Sequence, residues 1–308
     1  MTPYEALRSR AAWIDLSGRG QIRATGEDRA RLLHAMSTND VNRLPENRGL
    51  YAFFLTAQGR IIADANMYNL GDSLWLDTEA ETREKLLAHL DKYIIADDVT
   101  LDDETERWAV VSVEGPESPE VLAALGIEIP RTPLEILPWN DGFAVRIAAT
   151  GPEGVRIFLP AGGKPALVAR LGELGILQAT SEDARLVRLE HGRPRYGEDI
   201  SERYLVQETQ ILSAVSFNKG CYLGQEIVER IRSRGQVHRL LTPVRIRTAN
   251  APAPGTKLRS GDKDAGEITS AVFSPALNET VGLAYLRTES SAKGSRFSVG
   301  EAEEAYVP

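Results

Sequence analysis

The character of the sequence changes near residue 240, and this change limits the possible folds more than any other feature. Before it, strand-like and helix-like segments alternate; after it, short strand-like segments are separated by turns. Residues 251–255, Ala-Pro-Ala-Pro-Gly, are typical of a rigid turn or linker. Evenly spaced short strands favour a small β-barrel of about 65 residues. We therefore predict an α+β body over residues 1–240 and a C-terminal β-barrel domain over residues 241–308.

Within the body, two patterns predict local structure. Residues 25–28, Thr-Gly-Glu-Asp, resemble a capping box, and Leu32, Leu33 and Met36 follow at helical spacing. Three strand-like runs cover residues 51–56, 61–68 and 73–76, with short glycine-containing connections between them. Such connections predict an antiparallel meander.

Charge and cysteine content exclude several classes of protein. The chain has 308 residues with 36 Lys+Arg and 44 Asp+Glu, a formal net charge of −8, which argues against broad nucleic-acid binding. Its single cysteine, Cys221, excludes an internal disulfide and a zinc site built from cysteines alone. No apolar run is long enough to span a bilayer, and the N-terminus does not resemble a secretory signal. We expect no membrane association, a reducing compartment and a cytoplasmic location.

The most unusual segment surrounds Cys221. Gly220 and Gly224 allow a tight turn there, and Gly224 begins a segment with helical spacing. A thiol just before a helix N-terminus and two residues from Lys219 is expected to have a lowered pKa, which makes the thiolate available as a nucleophile or metal ligand. The alternative is that Cys221 is simply a small buried apolar residue.

Taken as a whole, this segment resembles a family signature. Lys219, Gly220, Cys221, Tyr222, Gly224, Gln225 and Glu226 match K-G-C-Y-x-G-Q-E of the YgfZ-type folate-binding proteins, with Leu223 at the variable position. These proteins are relatives of the glycine-cleavage T-protein and take part in iron–sulfur cluster maturation. The resemblance continues at residues 22–42, 54–61, 188–192, 196–197, 266–270, 273–275 and 281–285. It implies a T-protein-like cloverleaf of three domains around a central folate cavity, with a C-terminal β-barrel.

The resemblance also implies roles for individual residues. Asp64 matches one acidic residue of the T-protein stretch that lies near the reactive folate nitrogens, whereas Ala63 replaces the other. This departure argues against aminomethyl transfer. Glu190 matches the glutamate that binds the pterin, and a carboxylate suits its N–H groups. Tyr196 is a candidate for stacking on the pterin, and Arg230 for holding the anionic glutamate tail.

Each of these roles has a structural alternative. Asp64 could be an outward-facing strand residue, and Glu190 a helix-surface charge paired with a nearby arginine. Tyr196 could pack in the core, as could Tyr222. Arg230 could lie on a solvated helix face.

The favoured hypothesis is a protein that binds tetrahydrofolate or a one-carbon derivative and assists [4Fe–4S] cluster assembly or repair through the Cys221 thiolate. Because clusters ordinarily need four thiolates, Cys221 would be a transient ligand, and an A-type carrier, a scaffold protein or glutathione would supply the others. The alternatives are a folate-dependent aminomethyltransferase-like enzyme, an interaction protein that has lost its ligand, and a cysteine-dependent hydrolase. The four histidines share no metal-ligand spacing with each other or with Cys221, and we predict no resident metal.

Overall fold

The computed structural model describes residues 1–235, 237–300 and 303–308. They form two compact units, each built from separate stretches of chain. The first unit comprises residues 1–55, 62–187 and 213–223, and the second comprises residues 56–61, 188–212 and 224–308.

Helices and strands are both present throughout. The α-helices are α1 (Pro3–Ser9), α2 (Arg29–Met36), α3 (Arg83–Asp91), α4 (Ser118–Ala124), α5 (Lys164–Glu173), α6 (Ser181–Glu190) and α7 (Gln225–Arg234). The strands are β1 (Ala12–Asp15), β2 (Gly20–Thr25), β3 (Arg48–Leu55), β4 (Ile61–Asn69), β5 (Leu74–Thr78), β6 (Thr100–Asp103), β7 (Trp108–Glu114), β8 (Ile136–Trp139), β9 (Gly142–Val145), β10 (Gly154–Pro160), β11 (Leu177–Ala179), β12 (Arg239–Ile246), β13 (Lys257–Ser260), β14 (Lys263–Ser274), β15 (Glu279–Arg287), β16 (Arg296–Val299) and β17 (Glu303–Tyr306).

The first unit contains two sheets. One has the order β3-β4-β5-β2-β6 and includes the meander expected from residues 51–76. Its apolar face packs against α2 and α3, with Leu33 and Leu86 fully buried. The other has the order β11-β1-β7-β10-β9-β8, and its only parallel pair among the described residues is β1 with β11.

An aromatic cluster joins the two sheets of the first unit. Tyr68 and Trp75 from one sheet pack with Phe143 and Phe158 from the other, and the Tyr68 and Phe158 rings lie 5.4 Å apart. Because aromatic side chains bury large areas and prefer such edge-to-face contacts, this cluster fixes how the sheets stack. The sheet that carries Asp64 therefore has a rigid support.

The second unit contains a closed barrel with the order β12-β15-β14-β13-β16-β17. Apolar side chains such as Ile246, Leu258 and Phe297 fill its interior. A register shift lies between Ile268 and Ser270 in β14. Such an irregularity bends a strand, as the curvature of a small barrel requires. The predicted α+β class and the C-terminal β-barrel are confirmed, while the division at residue 240 stays a prediction.

Candidate functional site

Asp64 lies in the middle of β4, a strand buried on both faces. The side-chain hydroxyl of Tyr51, on the neighbouring strand β3, donates to Asp64 Oδ2 at 2.6 Å. The Thr78 hydroxyl donates to the Asp64 backbone oxygen at 2.6 Å. Asp64 is only 7% exposed, so the structure contradicts the alternative of an outward-facing strand residue.

The environment of Asp64 favours its protonated form. Burial, followed by the negative charge of Glu79, raises the pKa of Asp64 to about 6, although the Tyr51 hydrogen bond and Arg19 act in the opposite direction. Arg19 is itself held by Glu79 and by Asp77, whose Oδ1 lies 2.6 Å from Arg19 Nε. A carboxyl group that titrates near neutral pH can both accept and donate a proton, as general acid–base chemistry requires.

Tyr51 and Glu79 are the members of this group that the sequence interpretation missed. Tyr51 lies thirteen residues from Asp64, and only the pairing of β3 with β4 brings its hydroxyl to the carboxylate. One signal was present in the sequence: Tyr51 begins the strand-like run 51–56, which is predicted to pair with the run 61–68 that contains Asp64. The residue before Asp64 in the strand is alanine, which is fully buried and supplies no second carboxylate.

Residues 219–222 form a loop that is fixed to the end of α2. The Lys219 ammonium group donates to three backbone oxygens, those of His34, Ser37 and Asn39, the last two at 2.7 and 2.8 Å. It also lies 4.8 Å from the centre of the Tyr222 ring. Burial lowers the pKa of Lys219 to about 7. The sequence suggested that Lys219 would act on the thiol, whereas its three donors are directed at the helix end.

Cys221 is exposed, so the alternative of a buried core cysteine is wrong. Its neighbour Tyr222 is buried, and the backbone N–H of Leu223 donates to the carbonyl of Ala35 at 2.9 Å. The loop thus presents one exposed thiol between anchored residues. Such a thiol is accessible to a partner protein or to a small molecule.

The last three residues of the motif, Gly224, Gln225 and Glu226, lie in the second unit at the start of α7. Gly224 has φ +82, a left-handed conformation that favours glycine, and α7 starts at Gln225 with Glu226 in its first turn. Arg230 is exposed on this helix. It lies there with Arg232, which forms an ion pair with Glu229 at 3.5 Å.

Glu190 ends α6 and accepts a hydrogen bond from the hydroxyl of Ser274 in the barrel strand β14. The arginine two residues earlier, Arg188, binds Asp199 at 2.9 Å. Tyr196 is 7% exposed, and its hydroxyl donates to the carbonyl of Ile61 at 3.3 Å. Glu190, Tyr196 and Arg230 therefore lie in the second unit, whereas Asp64 and Cys221 lie in the first. Their roles toward folate stay predictions.

Two properties of the described residues bear on metals and membranes. Residues 1–235, 237–300 and 303–308 contain no group of three or more His, Cys, Asp or Glu side chains arranged to hold a metal ion. In the same part of the chain, every helix is too short or too polar to cross a bilayer.

Comparison with known families gives two matches that together cover most of the chain. The GCVT N-terminal domain matches residues 2–219. The glycine cleavage T-protein C-terminal barrel domain matches residues 239–306, the region of the closed barrel.

Curated relatives are similar over nearly the same length. An aminomethyltransferase of Rubrobacter xylanophilus is 31% identical over 296 residues, which cover 93% of this chain and 78% of the relative. A putative chloroplastic transferase of Arabidopsis thaliana is 27% identical, with 94% of this chain and 68% of the relative covered.

Among solved structures, the crystal structure of glycine cleavage system aminomethyltransferase T from Bartonella henselae is similar to this chain. The TM-score is 0.92 at 21% identity, and the match covers 99% of this chain and 87% of the other. At this identity the likeness establishes the fold.

Proposed function

The chain belongs to the GCVT family of aminomethyltransferase-like T-proteins, and we propose that within this family it is a folate-binding accessory factor for [4Fe–4S] cluster assembly or repair that uses the Cys221 thiolate. The observation that carries this proposal is the loop around Cys221. Three hydrogen bonds from Lys219 fix the loop to α2, and the thiol remains exposed. A fixed, accessible thiol suits transient ligation better than a buried one.

The residue types that the resemblance assigns to folate each suit one part of tetrahydrofolate. When bound, this cofactor supplies a pterin rich in N–H groups and an anionic glutamate tail. Asp64 and Glu190 offer carboxylate acceptors for N–H groups, and the exposed cation of Arg230 suits a carboxylate. Tyr51 orients the Asp64 carboxyl group, which is able to hold or release a proton near neutral pH.

Cluster transfer requires more ligands than this chain offers. In this role the cluster is cargo, and Cys221 supplies one thiolate while a carrier, a scaffold protein or glutathione supplies the remaining ligands. Two exposed arginines of α7, Arg230 and Arg234, lie four residues apart and therefore form one basic surface on the same face of the helix. Such a surface favours encounter with an acidic partner such as an A-type carrier.

The test uses cells that lack the protein and an assay of a [4Fe–4S] enzyme. We expect the wild-type chain to restore activity and Cys221→Ala to fail, with both proteins present at equal levels. Asp64→Asn, in the same background, reports whether the folate side of the proposal contributes. Equal rescue by wild type and Cys221→Ala would contradict the role of the thiol. Normal activity of the [4Fe–4S] enzyme in cells that lack the protein would contradict a role in cluster assembly or repair.

A second candidate is folate-dependent one-carbon transfer, which the names of the curated relatives favour. It predicts that purified protein transfers a one-carbon unit from an aminomethyl donor to tetrahydrofolate. It also predicts that Asp64→Asn abolishes this turnover and Cys221→Ala leaves it unchanged. The buried alanine at position 63, where the T-proteins have a second carboxylate, is the reason we rank this candidate lower.

A further inference from the structure

A basin of about 330 Å³ opens on the barrel of the second unit, near the end of β15. Basic side chains dominate its wall: Arg203, His238, Arg239, Lys257 and Arg287. Two acidic residues, Asp264 and Glu267, also line it. Apart from His238, four cations therefore face two anions in a chain whose net charge is −8.

The strand register brings two of these cations together. Arg239 on β12 pairs directly with Arg287 on β15. Like charges opposite each other across a strand pair repel, and the repulsion weakens the sheet unless something neutralises it. An anion between the two guanidinium groups would remove this repulsion.

The surrounding acids neutralise the basin only in part. Glu267 binds both Arg203, at 2.7 Å, and Lys257, at 2.8 Å. Arg239 Nε donates to Glu208 Oε1 at 2.7 Å. By contrast, the Arg287 side chain has no ion pair or hydrogen bond with any residue in the described part of the chain. The Arg287 guanidinium group is thus available to bind an anion, and its neighbour across the strand pair, Arg239, is held in place by Glu208.

A buried donor lies at the same wall. Tyr285 is 1% exposed, and its hydroxyl has no hydrogen-bond partner among the residues that the structure describes. Its ring is held in place: it stacks on Tyr204 with the ring centres 3.6 Å apart, and the Arg239 guanidinium carbon lies 5.5 Å from its centre. Buried hydroxyls without partners are uncommon, and because Tyr285 lines the basin, a small side-chain shift that opens this hydroxyl to the basin would give a ligand a further donor.

From these observations we propose that the basin is a binding site for a small anion that carries a phosphate group or two carboxylate groups. Arg287 and Arg239 bind the anionic oxygens, and the Tyr285 hydroxyl donates to one of them. Guanidinium groups recognise both kinds of oxyanion. The volume, at the lower end of ligand sites, limits the ligand to a small molecule.

The test measures binding of inorganic phosphate and of malonate to the full chain by calorimetry, at constant ionic strength. We expect saturable binding of at least one of them, and the stronger of the two identifies the source of the oxyanion. Arg287→Gln should weaken binding about tenfold, since it removes a charged hydrogen-bond donor. Arg259→Gln is the matched control, because Arg259 is also an exposed arginine on a barrel strand and does not line the basin.

A second variant protects the test against misfolding. Tyr285→Phe removes only the hydroxyl, so the protein should fold at least as stably as wild type and bind the anion more weakly. No saturable binding of either anion up to about 10 mM would overturn the proposal, as would equal weakening by Arg287→Gln and Arg259→Gln. The measurement involves neither folate nor Cys221, so its result is independent of the proposed function.

Discussion

Replacing Asp64 by asparagine should stabilise the protein at neutral pH. The structure raises the pKa of this carboxyl group from 3.8 to about 6, chiefly because it is buried. A raised carboxyl pKa means that the folded state favours the proton. The resulting stabilisation is therefore complete below pH 3.8 and is lost as the pH rises through about 6.

The magnitude follows from the size of the shift. Two pKa units correspond to about 3 kcal/mol of unfolding free energy at pH 7, which the wild-type protein lacks because Asp64 is ionised there. Asparagine is neutral, has nearly the same shape and keeps an oxygen that can accept from the Tyr51 hydroxyl. Asp64→Asn should thus be more stable than wild type by up to about 3 kcal/mol at pH 7, and the difference should shrink toward pH 4.

Urea unfolding between pH 4 and pH 8, followed by tryptophan fluorescence, measures this difference. All four tryptophans, at positions 13, 75, 108 and 139, lie in the first unit with Asp64, so the signal reports on the relevant unit. Asp141→Asn is the control, because Asp141 is exposed in the same unit. A variant at position 64 that is no more stable than wild type at pH 7, or a difference that does not vary with pH, would refute the reasoning.

Three further predictions concern neighbouring features. Glu79→Gln removes a negative charge that raises the pKa of Asp64, so the Asp64 resonance in a carbon-13 NMR titration should move toward a lower pKa. Lys219→Ala leaves three carbonyl groups without their shared donor, and urea unfolding should show a loss of about 3 kcal/mol. Gly59→Ala places a Cβ atom 2.8 Å from Ile227 Cβ at a position with φ +73, and the melting temperature should fall, corresponding to about 1–3 kcal/mol.

The architecture of the chain was predicted from the sequence more accurately than the caps of its helices. Evenly spaced turns were sufficient to predict a barrel, because three of its strand pairs, β13–β14, β14–β15 and β16–β17, join consecutive strands. The pairing of β12 with β15 and β17, which closes the barrel, links strands distant in sequence and had no local signal. The capping box at residues 25–28 was wrong in detail. Helix α2 has Asp28 at its N-cap without a side-chain cap bond, and Asp28 Oδ2 instead accepts the backbone N–H of Asp98. This partner lies 70 residues away, beyond the reach of any local pattern.

In the candidate site, too, local sequence patterns did not reveal partners that lie far away in the chain. The motif identified Lys219 and Cys221, yet the three carbonyl partners of Lys219 lie at the far end of α2 and could not be read from spacing. The sequence left open the alternative that Asp64 faces outward. The structure excludes it because β4 is covered on both faces, and a polar residue in such a strand can be buried without any change in the sequence pattern.

The separate stretches of the first unit have a consequence for synthesis of the chain on the ribosome. The contacts of Lys219 with the end of α2 join residues 180 to 185 positions apart. The nascent chain therefore exposes an incomplete helix end until residue 219 has left the exit tunnel, long after the strands of this unit have emerged. Contacts this distant in sequence form slowly, so the interval is one in which a chaperone would protect the unfinished unit. A fragment that stops at residue 187 would remain permanently in that state.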